Sequence, residues 1–156
     1  MVLALGRQSA PMFTLDPAFV ATSHPLADLP LCAARLQDDG RYSWIVLIPK
    51  RAGARELEDL SPDDHTQLLA EILATGHAVR ALGEALGREV EKLNIGALGN
   101  VTPQLHIHVV GRRSDDPAWP DPVWGHSAGT AYGADAVALA LETARKAFAA
   151  RQMVPR

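Results

Sequence analysis

One long amphipathic segment, residues 61–87, limits the folds open to this chain more than any other feature. Its first residues, Ser61-Pro62-Asp63-Asp64, combine a hydroxyl cap, a proline at the first helical position and acids in the first turn, which is typical of a helix start. Apolar or small residues then recur at spacings of three and four: Leu68, Leu69, Ile72, Leu73, Gly76, Val79, Leu82 and Leu86. The pattern predicts a helix about 37 Å long, whose apolar face needs a sheet or a second helix to cover it.

Length and composition predict one domain with an ordinary core. The chain has 156 residues, of which 47% are hydrophobic and 21% charged, so we expect a single globular domain over residues 1–156. Its one cysteine, Cys32, has no partner for an internal disulfide and fits a reducing compartment. A net charge of -3 argues against duplex nucleic acid as a partner. No apolar run is long enough to cross a bilayer, so we expect a cytoplasmic protein without a membrane partner.

Four apolar runs around this helix have the length and composition of β-strands. They are Leu31 to Leu36, Trp44 to Pro49, Val90 to Leu98, and Gln104 to Val110, the last ended by Gly111. Asp39-Gly40 predicts a hairpin between the first two. The proline-rich first thirty residues predict turns and a short helix that begins at Asp16-Pro17. With an alanine-rich helix from about Asp135 to Arg151, the pattern predicts an α+β fold: an antiparallel sheet of about five strands, one long helix packed on it, and a C-terminal helix.

Residues 114–133 are rich in proline and glycine and include Trp119 and Trp124. This composition is more typical of an ordered, irregular loop packed by its own aromatic side chains than of a linker. We therefore expect a C-terminal extension of the domain from about residue 114.

The run from Gln104 to Val110 alternates polar and apolar residues. On a strand, the apolar residues face the long helix and the polar ones form a row on the other face: Gln104, His106 and His108. Neighbours in this row are about 6.6 Å apart, so a phosphate, a carbonyl group or a water molecule fits between the imidazoles. A stiff sheet holds such side chains well enough for a binding or catalytic site.

This combination of residues favours chemistry on phosphorus. Imidazole is partly neutral near neutral pH, so one ring can attack while a protonated neighbour donates a proton or stabilises charge. In the preceding loop Asn100 and Thr102 are polar donors, and Gly99 lets the backbone approach a ligand. Arg112 and Arg113 add positive charge directly after the run. A nucleophile, a proton carrier and phosphate-binding groups thus lie within one short stretch.

Two other interpretations of the histidines remain open. They are equally expected as solvated polar positions of an alternating strand. A His-x-His pair on a strand also suits zinc, but it supplies only two of the usual three or four ligands. The remaining histidines show no ligand spacing to the pair, so we expect no metal site: His24, His65, His77 and His126.

One stretch resembles the motif of the histidine triad family, His-φ-His-φ-His-φ-φ, in which φ is apolar: Gly99-Asn100-Val101-Thr102-Pro103-Gln104-Leu105-His106-Ile107-His108-Val109-Val110-Gly111-Arg112. The strand from Trp44 to Lys50 resembles the family's apolar strand that ends in Pro-Lys or Pro-Arg, and Leu60 before the long helix fits as well. Residues 116–125 resemble the Pro-Trp-rich segment that follows the motif in a bacterial branch. The resemblance extends over residues 12–113 in the order of elements, which a short motif alone would not do.

The resemblance implies an activity and assigns roles to the histidines. Family members have an antiparallel sheet with a long helix, usually form homodimers, and act as nucleotidyl hydrolases or transferases on nucleoside phosphates, polyphosphates or phosphoramidates. The middle triad member is the nucleophile, which attacks the α-phosphorus to form a nucleotidyl-imidazole that water hydrolyses; here it is His106. The third member, His108, helps to hold the phosphate. No cofactor is implied to be required, and a divalent cation is expected only with a polyphosphate substrate.

Other positions of the family's site fall on polar residues of this chain. Asn100 occupies the position of a loop residue that contacts the phosphate or the leaving group, and Thr102 lies beside it. Asn94 is close to the position of a polar residue that binds the nucleotide. Asp38 or Asp39 corresponds to the acid or amide that meets the ribose hydroxyls.

Two positions depart from the family pattern. The first triad member is Gln104, which we expect to position the phosphate with its amide but which cannot carry a proton. Trp44 stands where many members have a histidine, and we expect it to form core or pocket wall, because aromatic residues usually pack. These departures leave a second hypothesis open, a nucleotide-binding module with little or no catalysis.

Overall fold

A five-stranded antiparallel sheet organises the molecule, which a computed structural model describes over residues 9–152. In chain order the strands are β1 (Ser23–Asp28), β2 (Cys32–Gln37), β3 (Ser43–Pro49), β4 (Lys92–Gly96) and β5 (Ile107–Arg112). They lie in the order β1-β2-β3-β5-β4, and each neighbouring pair is antiparallel. The helices are α1 (Pro17–Thr22), α2 (Pro62–Ala85) and α3 (Ala134–Gln152), with a short 3-10 turn at Leu57–Asp59. The predicted α+β fold is confirmed.

The long helix α2 forms as its end signals predict. The Ser61 hydroxyl oxygen accepts a hydrogen bond from the backbone N–H of Asp64 at 3.1 Å, and Pro62 is the first helical residue. The helix ends at Ala85, and the chain turns away at Gly87, where φ is +68°. One face of α2 buries apolar side chains against β3 and β5, while α3 packs alongside it and completes this core through Ala140, Ala144 and Phe148.

The opposite face of the sheet is covered by α1 and by the extension after β5. Phe19 of α1 and Ala118 and Val123 of the extension pack against Trp44, Val46, Ile48 and Val110 of the sheet, together with Tyr42. The stretch 114–133 is therefore an ordered loop, as predicted. Trp124 packs into it, whereas Trp119 is partly exposed and lies against the Arg112 guanidinium.

Strand β1 is absent from the sequence prediction, which assigned turns to the first thirty residues. Pro25 lies inside this strand. A proline is tolerated there because β1 is at the edge of the sheet and pairs only with β2, so its missing N–H disrupts no second ladder. The register shifts between Pro25 and Ala27, which is an irregularity typical of edge strands.

The predicted limits of the last two strands are also wrong. β4 spans Lys92–Gly96 and is shorter than the predicted 90–98. β5 begins at Ile107, because the backbone N–H of Leu105 bonds to the carbonyl of Ala54 and lies outside the ladder. Gly111 does not end the strand but pairs with Ser43 inside it.

Within residues 9–152, no helix combines the length and the apolar character needed to cross a membrane.

Candidate active site

A cavity of about 590 Å³ opens beside His106 and His108, between three parts of the chain. The β2–β3 hairpin, the loop before β5 and the extension after β5 each contribute to its wall. Besides the histidines, its lining residues are Gln37, Asp38, Asp39, Arg41, Trp44, Leu98, Gly99, Asn100, Val101, Thr102, Val123, Trp124, Gly125, Ser127 and Gly129. The extension is thus part of the cavity and not an appendage to it.

His106 lies directly before β5, with 7% of its surface exposed. Its Nδ1 is 2.7 Å from the backbone oxygen of Gln104. Because a carbonyl oxygen only accepts hydrogen bonds, Nδ1 donates and carries the proton of the neutral ring. Nε2 therefore keeps its lone pair, and the ring packs edge-on against Phe19 with 4.9 Å between centroids. This arrangement presents an imidazole nitrogen suited to nucleophilic attack.

His108 stands two residues further along, on the same face of the sheet. The two ring centroids are 4.8 Å apart. The Trp44 indole Nε1–H donates to Nδ1 of His108 at 3.1 Å. Burial, and then the charge of His106, lower the pKa of His108 to about 3. At neutral pH this ring is therefore uncharged.

Two tryptophans form an aromatic wall around His108. Trp44, 9% exposed, meets the His108 ring edge-on at 5.4 Å, and Trp124 meets it at 5.6 Å. The two indoles contact each other at 6.4 Å. Their N–H groups differ, because Trp44 donates to His108, whereas the buried Nε1 of Trp124 has no partner within residues 9–152. Trp44 is thus a pocket-wall residue, one of the two roles expected for it.

Asp38 and Asp39 both line the cavity, and both carboxylates are already hydrogen-bonded. Asp39 accepts from Arg41 Nε at 2.9 Å and from Arg41 Nη2 at 2.8 Å. Although burial raises the pKa of Asp39, the bonds from Arg41 and from the backbone of Thr130 outweigh it and hold that pKa below its usual value. Asp38 accepts from the backbone N–H of Tyr132 at 3.0 Å. The hairpin therefore presents a fixed ion pair to the cavity.

Gln104 and Asn94 do not join the other expected site residues at the cavity wall. The Gln104 carboxamide faces the N-terminal segment, where its oxygen accepts from Asp16 N at 2.9 Å and its nitrogen donates to Thr14 O at 2.8 Å. The expected row of three side chains therefore contains only the two histidines. Asn94 Oδ1 accepts from Arg112 Nη1 at 2.7 Å and serves that buried guanidinium.

Asn100 and Thr102 lie in the cavity wall, on the loop before β5. Gly99 has a φ of +73°, a conformation that glycine adopts without strain, and it turns the loop toward the histidines. The Val101 side chain between them is almost fully exposed. This loop therefore places two polar side chains in the wall of the cavity that the two histidines also line.

No group of three His, Cys, Asp or Glu side chains in the described part of the chain is arranged to hold a metal ion. His106 and His108 are therefore two imidazoles without a third ligand there.

Comparison with known proteins shows the family to which the chain belongs. A family model described as the HIT domain matches residues 18–115, more than half of the chain. The chain belongs to the histidine triad family. Proteins of this family bind nucleotides, and many are hydrolases or transferases.

Three solved structures are similar to this histidine triad protein over most of its length. A histidine triad protein from Sinorhizobium meliloti is 37% identical, with a TM-score of 0.78 and coverage of 86% of this chain and 96% of that chain. One from Bradyrhizobium japonicum is 37% identical, with a TM-score of 0.81 and coverage of 88% and 99%. One from Marinobacter aquaeolei is 33% identical, with a TM-score of 0.81 and coverage of 90% and 98%. No curated protein sequence matches the chain.

Several residues that line the cavity of this histidine triad protein were not predicted as site residues, among them Gln37, Arg41, Trp124 and Ser127. The alternation along β2 could have identified Gln37, because its neighbour Leu36 is a core residue. Arg41 and Ser127 are hydrogen-bonded to each other at 2.6 Å across 86 residues of sequence. No local pattern signals such a contact, or the approach of Trp124.

Proposed function

We propose that this protein is a nucleotide hydrolase or transferase that acts on the α-phosphate of nucleoside polyphosphates or phosphoramidates. His106 is the nucleophile, and the reaction passes through a nucleotidyl-histidine intermediate. One observation carries the proposal: the bond from His106 Nδ1 to the Gln104 carbonyl leaves the Nε2 lone pair free, in the wall of a cavity of about 590 Å³.

In the first step the Nε2 lone pair of His106 forms a bond to the α-phosphorus as the bond to the leaving group breaks. The nucleotidyl-imidazole carries a positive charge, which the Gln104 carbonyl stabilises through the Nδ1–H. The leaving group departs with the bonding electron pair and takes its proton from water. In the second step water, or another acceptor in a transferase, attacks phosphorus and releases a proton to bulk water, and His106 leaves as a neutral imidazole.

Neighbouring groups hold the phosphate during both steps. His108 and the loop residues Asn100 and Thr102 line the same cavity, and we assign them the contacts to phosphate oxygens. A divalent cation would enter with a polyphosphate substrate, and no other cofactor is part of the proposal. Asp38 and Asp39 remain our candidates for the nucleoside end of the cavity, where their carboxylates already have hydrogen-bond donors.

The test is His106→Ala, assayed against a panel of nucleoside polyphosphates and phosphoramidates. We expect turnover to fall by roughly three orders of magnitude or more, as when other nucleophiles are removed, while thermal unfolding and nucleotide binding stay close to wild type. His126→Ala, in an exposed part of the extension, is the matched control and retains activity. Equal turnover by His106→Ala and wild type would refute the mechanism.

A second candidate function is a nucleotide-binding module without efficient catalysis. It is favoured by the placement of Gln104, whose amide faces Thr14 and Asp16, and by the neutral state of His108, because neither group can protonate a leaving group. Micromolar nucleotide binding in calorimetry, with no product from the panel and no adduct on His106, would establish this alternative.

We extend the proposal to assembly, location and family branch. Leu69 and Leu73 on α2 are 58% and 61% exposed, and Ile95 on the edge strand β4 is 51% exposed, so we propose a homodimer that covers apolar surface of this kind. Sedimentation at micromolar concentration tests the homodimer, and a monomer alone would contradict it.

The lone buried Cys32 fits a cytoplasmic location. Gln104 suggests a bacterial branch whose motif reads Gln-x-His-x-His.

A further inference from the structure

The Trp44 side chain makes a specific polar contact inside the aromatic wall. Trp44 lies in β3, paired with Val110, and its indole Nε1–H points to His108 Nδ1 at 3.1 Å. An indole N–H is only a donor, so the nitrogen that it meets must be unprotonated. The single proton of the neutral His108 ring is therefore on Nε2.

A histidine at this position would not have the same effect. A neutral imidazole has one donor nitrogen and one acceptor nitrogen, and it exchanges the two roles by changing tautomer. Two imidazoles in contact can therefore place the proton of either ring on either nitrogen. Tryptophan has no second tautomer of this kind, so its donor role is permanent.

Within residues 9–152, the Trp44 indole is the only group hydrogen-bonded to a ring nitrogen of His108. Its backbone pairs with Val46 of β3 and Gly96 of β4, neither of which has a polar side chain. The ring faces His106 and Trp124 at centroid distances of 4.8 and 5.6 Å. The charged residues in the cavity wall are Asp38, Asp39 and Arg41, and the last two form an ion pair. Burial with His106 nearby also keeps the ring from taking a second proton.

We propose that Trp44 is a positioning residue that fixes the tautomer of His108, so that His108 presents Nε2–H to a phosphate oxygen as a permanent hydrogen-bond donor. The phosphate partner in this statement rests on the proposed function, whereas the tautomer does not. His106 and His108 then have complementary states: His106 offers a lone pair on Nε2 and His108 offers a proton on Nε2. One ring attacks phosphorus while the other binds an oxygen of the same group.

The experiment is nitrogen NMR of protein labelled with ¹⁵N in the histidine rings, recorded without substrate. The wild type, Trp44→Phe and Trp124→Phe are compared, because both variants keep an aromatic ring and lose the same indole volume, but only Trp44→Phe removes the donor to His108. Trp124→Phe is the matched control, since that indole contacts the same ring without donating to it. We expect an unprotonated Nδ1 and a protonated Nε2 for His108 in the wild type and in Trp124→Phe.

In Trp44→Phe we expect the two His108 nitrogen signals to move toward each other, as the proton distributes between them. We also expect kcat on a nucleotide substrate to fall by about tenfold, the effect of losing one oriented hydrogen bond, with a smaller change for Trp124→Phe. A purely structural role of Trp44 would not change the protonated nitrogen.

Three results would overturn the proposal. They are a protonated Nδ1 of His108 in the wild type, identical His108 signals in the wild type and Trp44→Phe, and an equally large shift in Trp124→Phe. The wild-type spectrum decides even if Trp44→Phe fails to fold. Because the spectra need no substrate, a protein that turns over no nucleotide refutes the proposed function and leaves the tautomer assignment to stand or fall on its own spectrum.

Discussion

His106 and His108 hold their protons on opposite ring nitrogens, and different kinds of partner hold them there. For His106 the partner is the backbone carbonyl of Gln104, which no side-chain substitution removes directly. For His108 the partner is the side chain of Trp44. The backbone therefore orients the ring of the proposed nucleophile His106. The orientation of the His108 ring depends on the side chain of Trp44.

A neutral buried histidine also makes the stability of the fold depend on pH. Burial, together with the charge of His106, lowers the pKa of His108 to about 3, against about 6.5 in an unfolded chain. Between these two values the unfolded state binds more protons than the folded state. The free energy of unfolding therefore decreases as the pH falls from about 6.5 to about 3, and this contribution is complete above that window.

We expect His108→Gln to weaken this pH dependence. Between about pH 6.5 and 4.5, the slope of unfolding free energy against pH should decrease by up to about 1.4 kcal/mol per pH unit. Urea titrations at a series of pH values measure it. His126→Gln, on an exposed loop, is the control and should keep the wild-type slope. An unchanged slope in His108→Gln would show that the folded protein binds a proton there.

Strand β5 passes so close beneath α2 that only glycine fits at position 111. A Cβ atom there would lie 2.6 Å from Val90 Cγ2 and 2.9 Å from Val79 Cγ1. Close-packed interiors accommodate such additions only by moving the strand or the helix.

Gly111→Ala should therefore lower the free energy of unfolding by about 1–3 kcal/mol, measured by urea denaturation. Gly133→Ala is the matched control, because a Cβ there meets nothing within 4 Å, and its stability should stay near wild type. Equal stability of the two variants would mean that β5 and α2 separate more easily than their packing indicates.

The elements that the sequence predicts well are those whose signals are local. The Ser61-Pro62 start and the apolar periodicity define α2 to within two residues of its end. β1 escaped prediction because Pro25 is compatible with a strand only at a sheet edge, and edge position is a property of the assembled sheet. The start of β5 shifted because the backbone of Leu105 bonds to Ala54, a contact that alternation alone does not reveal.

On the scale of the whole molecule, one buried arginine joins the sheet to the extension that closes the cavity. Arg112, 1% exposed, ends β5 and donates to Asp116 from Nε at 2.7 Å and from Nη2 at 3.0 Å. It also donates to the carbonyl of Asp121 at 2.9 Å. We propose on this basis that the extension from residue 114 is an integral part of one domain.

Arg112→Met should destabilise the protein by about 3–5 kcal/mol, because it leaves the Asp116 charge buried without a partner. Adding Asp116→Asn removes that charge and keeps an acceptor for the backbone N–H groups of Ala118 and Trp119, so the double variant should recover part of the loss. Arg113→Met is the control: its pair with the exposed Asp115 contributes at most about 1 kcal/mol. Denaturant titration of all three measures these effects, and a double variant no more stable than Arg112→Met would contradict the role of the buried charge.

The sequence also identified those residues of the candidate site that lie close together in the chain, and missed those that long-range contacts bring to it. The motif from Asn100 to His108 is contiguous, so the sequence alone brought the two histidines and the polar loop together. Gln104 was assigned to their row because the alternation of β5 was extended to residues before the start of the strand. Its amide instead bonds to Thr14. Trp124 and the pair of Arg41 with Asp39 reach the cavity through contacts distant in sequence.

The most direct test of the proposed mechanism is to look for the covalent intermediate on His106. A nucleoside polyphosphate labelled at the α-phosphate is mixed with excess protein and quenched in alkali at successive times, and the peptides are analysed by mass spectrometry. We predict one nucleotidyl group on His106 that appears and decays as product forms, and none in His106→Ala. Product formation without any adduct on His106, or with an adduct on another side chain, would contradict the proposed role of His106 as the nucleophile.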